Sequence, residues 1–462
     1  MSFPTSPPIR HTPRAWSFPE VCRVSTPWGL KISAVEMRGL PLVHVRWTFR
    51  GGRVAAADHA PGAGRLLANV ARHGTHRYSS EGLASALDQL GAKLRVNVSQ
   101  DQCTAAITGQ AAHLPLLLDL VEEVAFRPTF PEVELARERA SALEVHDSER
   151  VHAETVAARW LTWTLFPGHP YGAPPTTAEG LRGATQEQIR ALHRRLFAPE
   201  RGLLTVVGDV DAPEALSALA SRYASAPTAA EALPLCPPAP LGARRRLIAV
   251  DRPGSEQVAV AVGHAALTRA HPDYTALRVV NQAFGAGASS RLFLELRERR
   301  SLTYGCYSAL DAGLVGGDLI SSLSTAPAKA STAVGALLDE WARLRAHGLP
   351  DAELEPARRY LVGSFPQSAS GVGGISALVS LAWLADLPDD TWPGYPSRVA
   401  AIDEAQAAGA ITRWIHPEEA SVVAVGPIDV VRAALEPHGE VELGTADAPE
   451  YEGATAGSYP LA

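Results

Sequence analysis

The chain has 462 residues, 46% of them apolar and 20% charged, with a formal net charge of −7. This is the composition of a folded chain long enough for two or three domains with separate cores. The acidic balance excludes a general nucleic-acid binder, which needs a basic face to displace counterions, and no apolar run reaches membrane-spanning length.

Residues 1–16, MSFPTSPPIRHTPRAW, are Pro-rich and read as a loose N-terminal arm. They contain no apolar h-region, so no secretory signal is expected and the cytoplasm is the expected location. The stretches STPWGLKISAVE and LPLVHVRWTFRGG alternate apolar and polar residues around a Gly-containing turn, which predicts a β-hairpin. Helical spacing follows over 62–73 and 80–91, then strand character in AKLRVNVSQDQCTAAITGQ. A long helix is predicted over roughly 132–158, after Pro131. Beyond the loop FPGHPYGAPPTTAEG, Thr185 with Gln188 three residues on is a capping-box pattern, and the strand LLTVVGDV closes the half.

Residues 226–243, APTAAEALPLCPPAPLGA, are Ala/Pro-rich without period and read as a linker. The triplet Arg244, Arg245 and Arg246 then precedes the strand LIAV and reads as a solvated strand entrance rather than a site for an acidic partner. The second half repeats the first. One offset of 218 residues relates Thr185 to Asp403, Leu203 to Ser421 and Gly208 to Gly426, and Asp403 again has a glutamine three residues on. Two copies of one α/β domain of roughly 200 residues follow. The expected division is 1–16 arm, 17–225 first domain, 226–243 linker, 244–445 second domain and 446–462 tail. Strands and helices intermix without regular βαβ alternation, so the fold class is α+β, each domain a mainly antiparallel sheet with helices on one face. The cysteines Cys22, Cys103, Cys236 and Cys306 lie far apart without a C-x-x-C pair, which fits buried thiols in a reducing compartment.

Four stretches resemble the M16 family of zinc metallopeptidases, the pitrilysin, insulinase and mitochondrial-processing-peptidase group. GAGRLLANVARHGT is similar in length and flanks to the family's G-x-x-H-x-x-E-H-x-x-x-x-G-T helix. FPGHPYG with TQEQIRALHRRLFAPERGLLTVVGDVD resembles its hinge loop, helix and closing strand. HPDYTALRVVNQAFGAGASSRLFLELRERRSLTYGCYS looks like its second-domain helix, Gly-rich segment and Ser-Arg-Leu helix, and WIHPEEASVVAVGP like its final strand. The likeness spans nearly the whole chain and looks closest to short bacterial members with two such domains per subunit, each subunit half of a clamshell.

H-x-x-E-H places two imidazoles at i and i+4 on one helix face to share a Zn²⁺, with the glutamate poised to deprotonate the bound water. A later helix of the family supplies a third, glutamate ligand. Carried onto this chain, the resemblance puts Arg65 and Asn69 at the two histidines, Ala68 at the base and Val145 at the third ligand, with Glu138 at a supporting acid. Arginine repels a cation, alanine accepts no proton and valine cannot coordinate, so no zinc is expected in this chain. His146, Glu149 and His152 in HDSERVH offer a decoy, but spacings of three and three turn around a helix by about 100° per residue, and a polar, partly exposed face is expected. His73 and His76 read as surface histidines of a turn, and His169 as structural.

The resemblance also implies an arginine and a tyrosine facing the zinc from the opposite domain, and LRERRSLTY supplies Arg297 and Tyr304. A guanidinium offers fixed donors to a substrate carbonyl, and a phenol can donate to the oxyanion. In FGAGASS, Gly285, Gly287, Ser289 and Ser290 either let backbone approach a bound peptide or form a plain lead-in to a helix. The strand YGCYSALDAG could pair with an extended substrate. In the family, a metal-free subunit of this kind pairs with an H-x-x-E-H subunit. The expectation is therefore a non-catalytic subunit of a heterodimeric zinc peptidase, inactive alone. Its partner holds the zinc, and its substrates are short unfolded peptides, with leader-peptide trimming as one role that no residue here establishes. The alternative is a scaffold or peptide-binding protein that has kept the fold and lost catalysis. A lone enzyme with another metal finds no replacement ligands.

Overall fold

A computed structural model of the chain describes residues 16–56, 59–225 and 232–446. The expected arm and tail lie almost wholly outside the described residues, as do linker residues 226–231. Alternating stretches and continuous apolar runs give twelve strands among the described residues, and distant pairing sorts them into two sheets. The first sheet holds β1 (Cys22–Ser25), β2 (Lys31–Glu36), β3 (Leu42–Arg50), β4 (Lys93–Val98), β5 (Gln102–Gln110) and β6 (Gly202–Gly208), in the order β1-β2-β6-β3-β5-β4. The second holds β7 (Leu247–Asp251), β8 (Val258–Ala266), β9 (Cys306–Ala312), β10 (Gly317–Thr325), β11 (Ser421–Gly426) and β12 (Val441–Gly444), in the order β12-β7-β11-β8-β10-β9.

The duplication is visible in this order. β6 runs parallel to β2 and antiparallel to β3, as β11 does to β7 and β8. The hairpin expected from 25–52 does not form. Both strands exist, but β6, buried along its whole length, lies between them, and β2 pairs instead with β1. A seven-residue strand buried at every position is more stable between two neighbours than at an edge, where its backbone groups would stay unpaired.

The helices of the first half are α1 (Ala63–Val70), α2 (Ser80–Gln89), α3 (Leu114–Phe126), α4 (Glu132–Arg150), α5 (Ala153–Leu165), α6 (Ala178–Gly183), α7 (Gln186–Leu196) and α8 (Ala212–Arg222). Those of the second are α9 (Tyr274–Phe284), α10 (Ala330–His347), α11 (Asp351–Ser368), α12 (Val372–Leu384), α13 (Tyr395–Ala400), α14 (Glu404–Trp414) and α15 (Ile428–Leu435). Capping boxes open α7 at Thr185 and α14 at Asp403, as the repeated pattern predicts. The single helix expected over 132–158 is two, because the chain turns at Val151 and His152 to send α5 elsewhere.

Each sheet carries helices of its own half on one face and a helix of the opposite half on the other. In the second half, α5 lays Val156, Trp160, Leu161 and Leu165 on Ile248, Val250, Ala259, Ala261, Val423 and Val425. In the first, α12 and the end of α11 lay Phe365, Ile375, Val379 and Ala382 on Val35, Leu203 and Val207. Thr48 Oγ1 donates to Ser380 Oγ across this second seam at 3.0 Å. Each buried large side chain contributes about 1.5–3 kcal/mol, so the exchange ties the halves together. The Arg triplet is a strand entrance: Arg246 pairs with Glu442 at 2.6 Å and stacks on Trp163.

Candidate functional site

Gly62 starts α1 at φ 109°, a left-handed conformation that favours glycine, and a Cβ there would lie 2.7 Å from Leu181. Ala63, Leu66, Leu67 and Val70 then bury one face of α1, while Arg65 and Asn69 lie toward α4. Asn69 Nδ2 donates to Glu138 Oε2 at 3.0 Å, and Arg65 Nη1 lies 3.9 Å from Glu149. Ala68 is buried and Val145 is 38% exposed. Where H-x-x-E-H would converge lone pairs on a cation, these positions carry a guanidinium, a methyl and an amide already donating to an acid. Zinc does not fit this set.

One turn further, His73 places Nε2 3.3 Å from Glu138 and Nδ1 3.8 Å from Glu134. Its two ring nitrogens meet different carboxylates, whereas a metal takes one nitrogen of a histidine. The sequence reading of His73 as a surface residue missed this half-buried contact; His76 is exposed as expected. In HDSERVH, His146 is buried, Glu149 pairs with Arg159, and His152 lies beyond the end of α4 in the turn before α5, so the three do not share one face. Among the described residues, three metal-ligating groups converge only at His416, Glu418 and Glu419, in the turn before β11.

His169 is structural, as expected. Its Nε2 donates to the Pro237 carbonyl at 2.9 Å and its Nδ1 accepts from the Tyr171 amide at 3.1 Å. Cys236 lies 3.6 Å from the same ring, but burial pushes its thiol up to about 12 and both imidazole nitrogens are engaged, so no thiolate forms there. All four cysteines are free thiols.

On the second sheet, Arg297 lies in a π-helical turn, Phe293–Arg299, a geometry uncommon outside functional or strained segments. Its guanidinium stacks 4.6 Å over Phe293 and lies 3.5 Å from Glu298. The following turn is held by Thr303, whose hydroxyl donates to the Ser324 carbonyl at 2.6 Å and accepts from the Gly305 amide at 3.1 Å. That turn presents Tyr304 88% exposed. Tyr304 stands on a groove of about 750 Å³ between α5 and the β9–β10 pair, floored by Ala259, Ala261 and Ile320. β9 is the last strand of its sheet, so its outer edge has no neighbouring strand among the described residues.

FGAGASS packs as a lead-in loop. A Cβ on Gly285 would lie 2.4 Å from Ser308 Oγ, so glycine is needed for close approach to β9. Ser290 is buried, while Ser289 is exposed and Gly287 half-exposed.

The insulinase (peptidase family M16) model matches residues 40–176, and the peptidase M16 inactive-domain model matches 183–361. The chain belongs to the M16 peptidase family. It is 28% identical to an uncharacterized zinc protease of Mycobacterium leprae, over 74% of this chain and 78% of that one. A similarly described protein of Streptomyces coelicolor is 25% identical over 88% and 90%. Among solved structures, the peptidase M16 inactive domain from Pseudomonas fluorescens superposes with a TM-score of 0.82 at 25% identity, covering 88% of this chain and 98% of that one. A Helicobacter pylori protease gives 0.79 at 18% identity, over 89% and 100%. The match over residues 40–176 takes in both α1 and α4. No helix among the described residues is long and apolar enough to cross a membrane.

Proposed function

We propose that this M16 chain is the metal-free subunit of a heterodimeric zinc peptidase. Its partner carries H-x-x-E-H and the zinc, and the two close around a short unfolded peptide. Arg297 orients the substrate carbonyl, and Tyr304 donates to the oxyanion formed at the partner's metal. The observation carrying this reading is Tyr304: a tyrosine 88% exposed on a locked turn, at the rim of a groove beside a free sheet edge. A phenol there contributes little to packing and is placed to meet something outside the chain. The edge of β9 suits an extended peptide bound through its backbone, with weak dependence on side chains. Trimming of a leader peptide is one role consistent with such a chamber.

The second reading, a catalytically silent scaffold or peptide-binding protein, is favoured by one observation. Arg297 already has local partners in Phe293 and Glu298, as a surface arginine would. The two readings separate in reconstitution. Alone, the chain should hold no stoichiometric zinc and cleave no peptide. Mixed with an H-x-x-E-H subunit it should restore cleavage. Tyr304→Phe should then lower kcat at least tenfold, since losing one transition-state donor costs about 10²–10³, with assembly unchanged on size exclusion. Full activity of both Tyr304→Phe and Arg297→Ala would leave the scaffold reading standing.

A further inference from the structure

The seam between the halves forms another, open cavity of about 480 Å³, within the size range of small-ligand sites, with Asp311 exposed at its rim and Asp318 half-buried. Trp163 of α5, with Phe166 and Tyr171 of the loop that follows, forms one wall, and Asp311 of β9 and Asp318 of β10 face it. Most of the cavity's charged groups have hydrogen-bonding partners. Arg159 pairs with Glu149, Arg53 donates to Gln100, and Asp101 accepts from the Tyr171 hydroxyl at 2.7 Å and the Leu314 amide at 3.1 Å. Asp311 and Asp318 do not. They are direct partners across the antiparallel β9–β10 pair, which puts their side chains on one face with Cβ atoms about 5 Å apart. Neither carboxylate has a hydrogen bond or ion pair among the described residues. Asp101 adds a further negative charge beside Asp311.

Like charges directly opposite on neighbouring strands destabilise a sheet. Here, burial and the Asp311 carboxylate together push the Asp318 carboxyl up to about 7. We propose that this cavity binds an organic cation, an alkylammonium or guanidinium on an aliphatic stem, its head between Asp311 and Asp318 and its stem against Trp163, Phe166 and Tyr171. Several N–H donors match two carboxylates, and the aromatic wall suits both the stem and a cation's attraction to ring faces. A bare metal ion fits less well, because no third ligand atom converges there among the described residues. The same chemistry comes as a free small amine or as a Lys or Arg side chain of a peptide lying along β9. The site depends on neither a partner subunit nor on cleavage.

Calorimetric titration of the full chain at pH 8 tests this with agmatine, with a ten-residue Ala/Ser peptide carrying one arginine, and with its norleucine analogue. Saturable one-to-one binding of agmatine or the arginine peptide is expected, weakened at least tenfold by Asp318→Asn and by Asp311→Asn. Binding should also weaken about tenfold from pH 8 to pH 6, as Asp318 takes up a proton among Asp311, Asp101, Glu149, Arg53, Arg159 and Tyr171. Without ligand, Asp318→Asn should melt no lower than the parent chain, which separates lost binding from lost folding. Binding of agmatine alone marks a free small cation as the ligand. Binding of the arginine peptide but not its norleucine analogue marks a peptide side chain. No saturation by either probe at millimolar concentration, or undiminished binding in both Asn variants, overturns the proposal.

Discussion

At the scale of single residues, Glu138 stands where the resemblance puts a supporting acid. In this chain it accepts from Asn69 and meets His73, so the acid that would stand behind a metal ligand is held by hydrogen-bonding partners. The frame around it is intact: Leu66, Leu67 and Val70 of α1 and Leu135 and Ala142 of α4 share one buried core. Restoring the four lost side chains together, Arg65→His, Ala68→Glu, Asn69→His and Val145→Glu, should therefore give about one zinc per chain by mass spectrometry. A folded variant that binds none would mean that the helix pair no longer holds the family's spacing. Three buried histidines elsewhere contribute to the response to acid. Burial holds His44, His193 and His264 near 4, well below the unfolded value of about 6.5. Below pH 6.5 the unfolded chain takes up protons that the native imidazoles refuse, so their stabilising contribution is lost as pH falls toward 4. Asp318, raised to about 7, works in the opposite sense and destabilises as pH rises from about 4 to 7. Unfolding near pH 5 should thus take up roughly two protons net from these four groups. Urea midpoints should fall from pH 6.5 to pH 5, with a shallower fall in His193→Gln. A midpoint independent of pH across that window would refute the assignment.

At the scale of elements, local chemistry was readable and neighbour relations were not. Thr185–Gln188 and Asp403–Gln406 could be named as capping boxes because every atom involved lies within one turn. The alternation in β2 and β3 named two strands, yet it fixes which face a residue takes, not which strand lies beside it. β6, joined to them only by long-range contacts, takes the place between. No Gly or Pro marks the break between α4 and α5 at Val151 and His152; the turn is decided by the second sheet, on which α5 packs. The candidate site divides the same way. Arg297 and Tyr304 were legible from spacing within a resemblance, but the π-helical turn and the exposure of the phenol were not.

At the scale of the whole molecule, the exchanged helices make each half depend on the other. Without the second half, Val35, Leu203 and Val207 would lose α12 and face water; without the first, Ala259, Ala261, Val423 and Val425 would lose α5. Expressed alone, residues 16–225 should aggregate or melt without cooperativity. Co-expressed with residues 232–446 they should co-purify as a soluble complex. A monomeric, cooperatively melting fragment 16–225 would show that the cross-packed helix is dispensable.

The sequence by itself determined the duplication, through one offset carried by a cap, a strand start and a terminal glycine. Through the resemblance it also supplied the expectation that Arg65, Ala68, Asn69 and Val145 stand at the metal positions, because whether a side chain can bind zinc is written in its own atoms. Tertiary structure alone decided the insertion of β6, the reciprocal packing of α5 and α12, the hold of Asn69 and His73 on Glu138, and the placing of Asp311 and Asp318 side by side on one wall of a cavity. Apart from the short reach between β9 and β10, each joins segments far apart in the chain, where strand register and burial set distance and periodicity sets only the face.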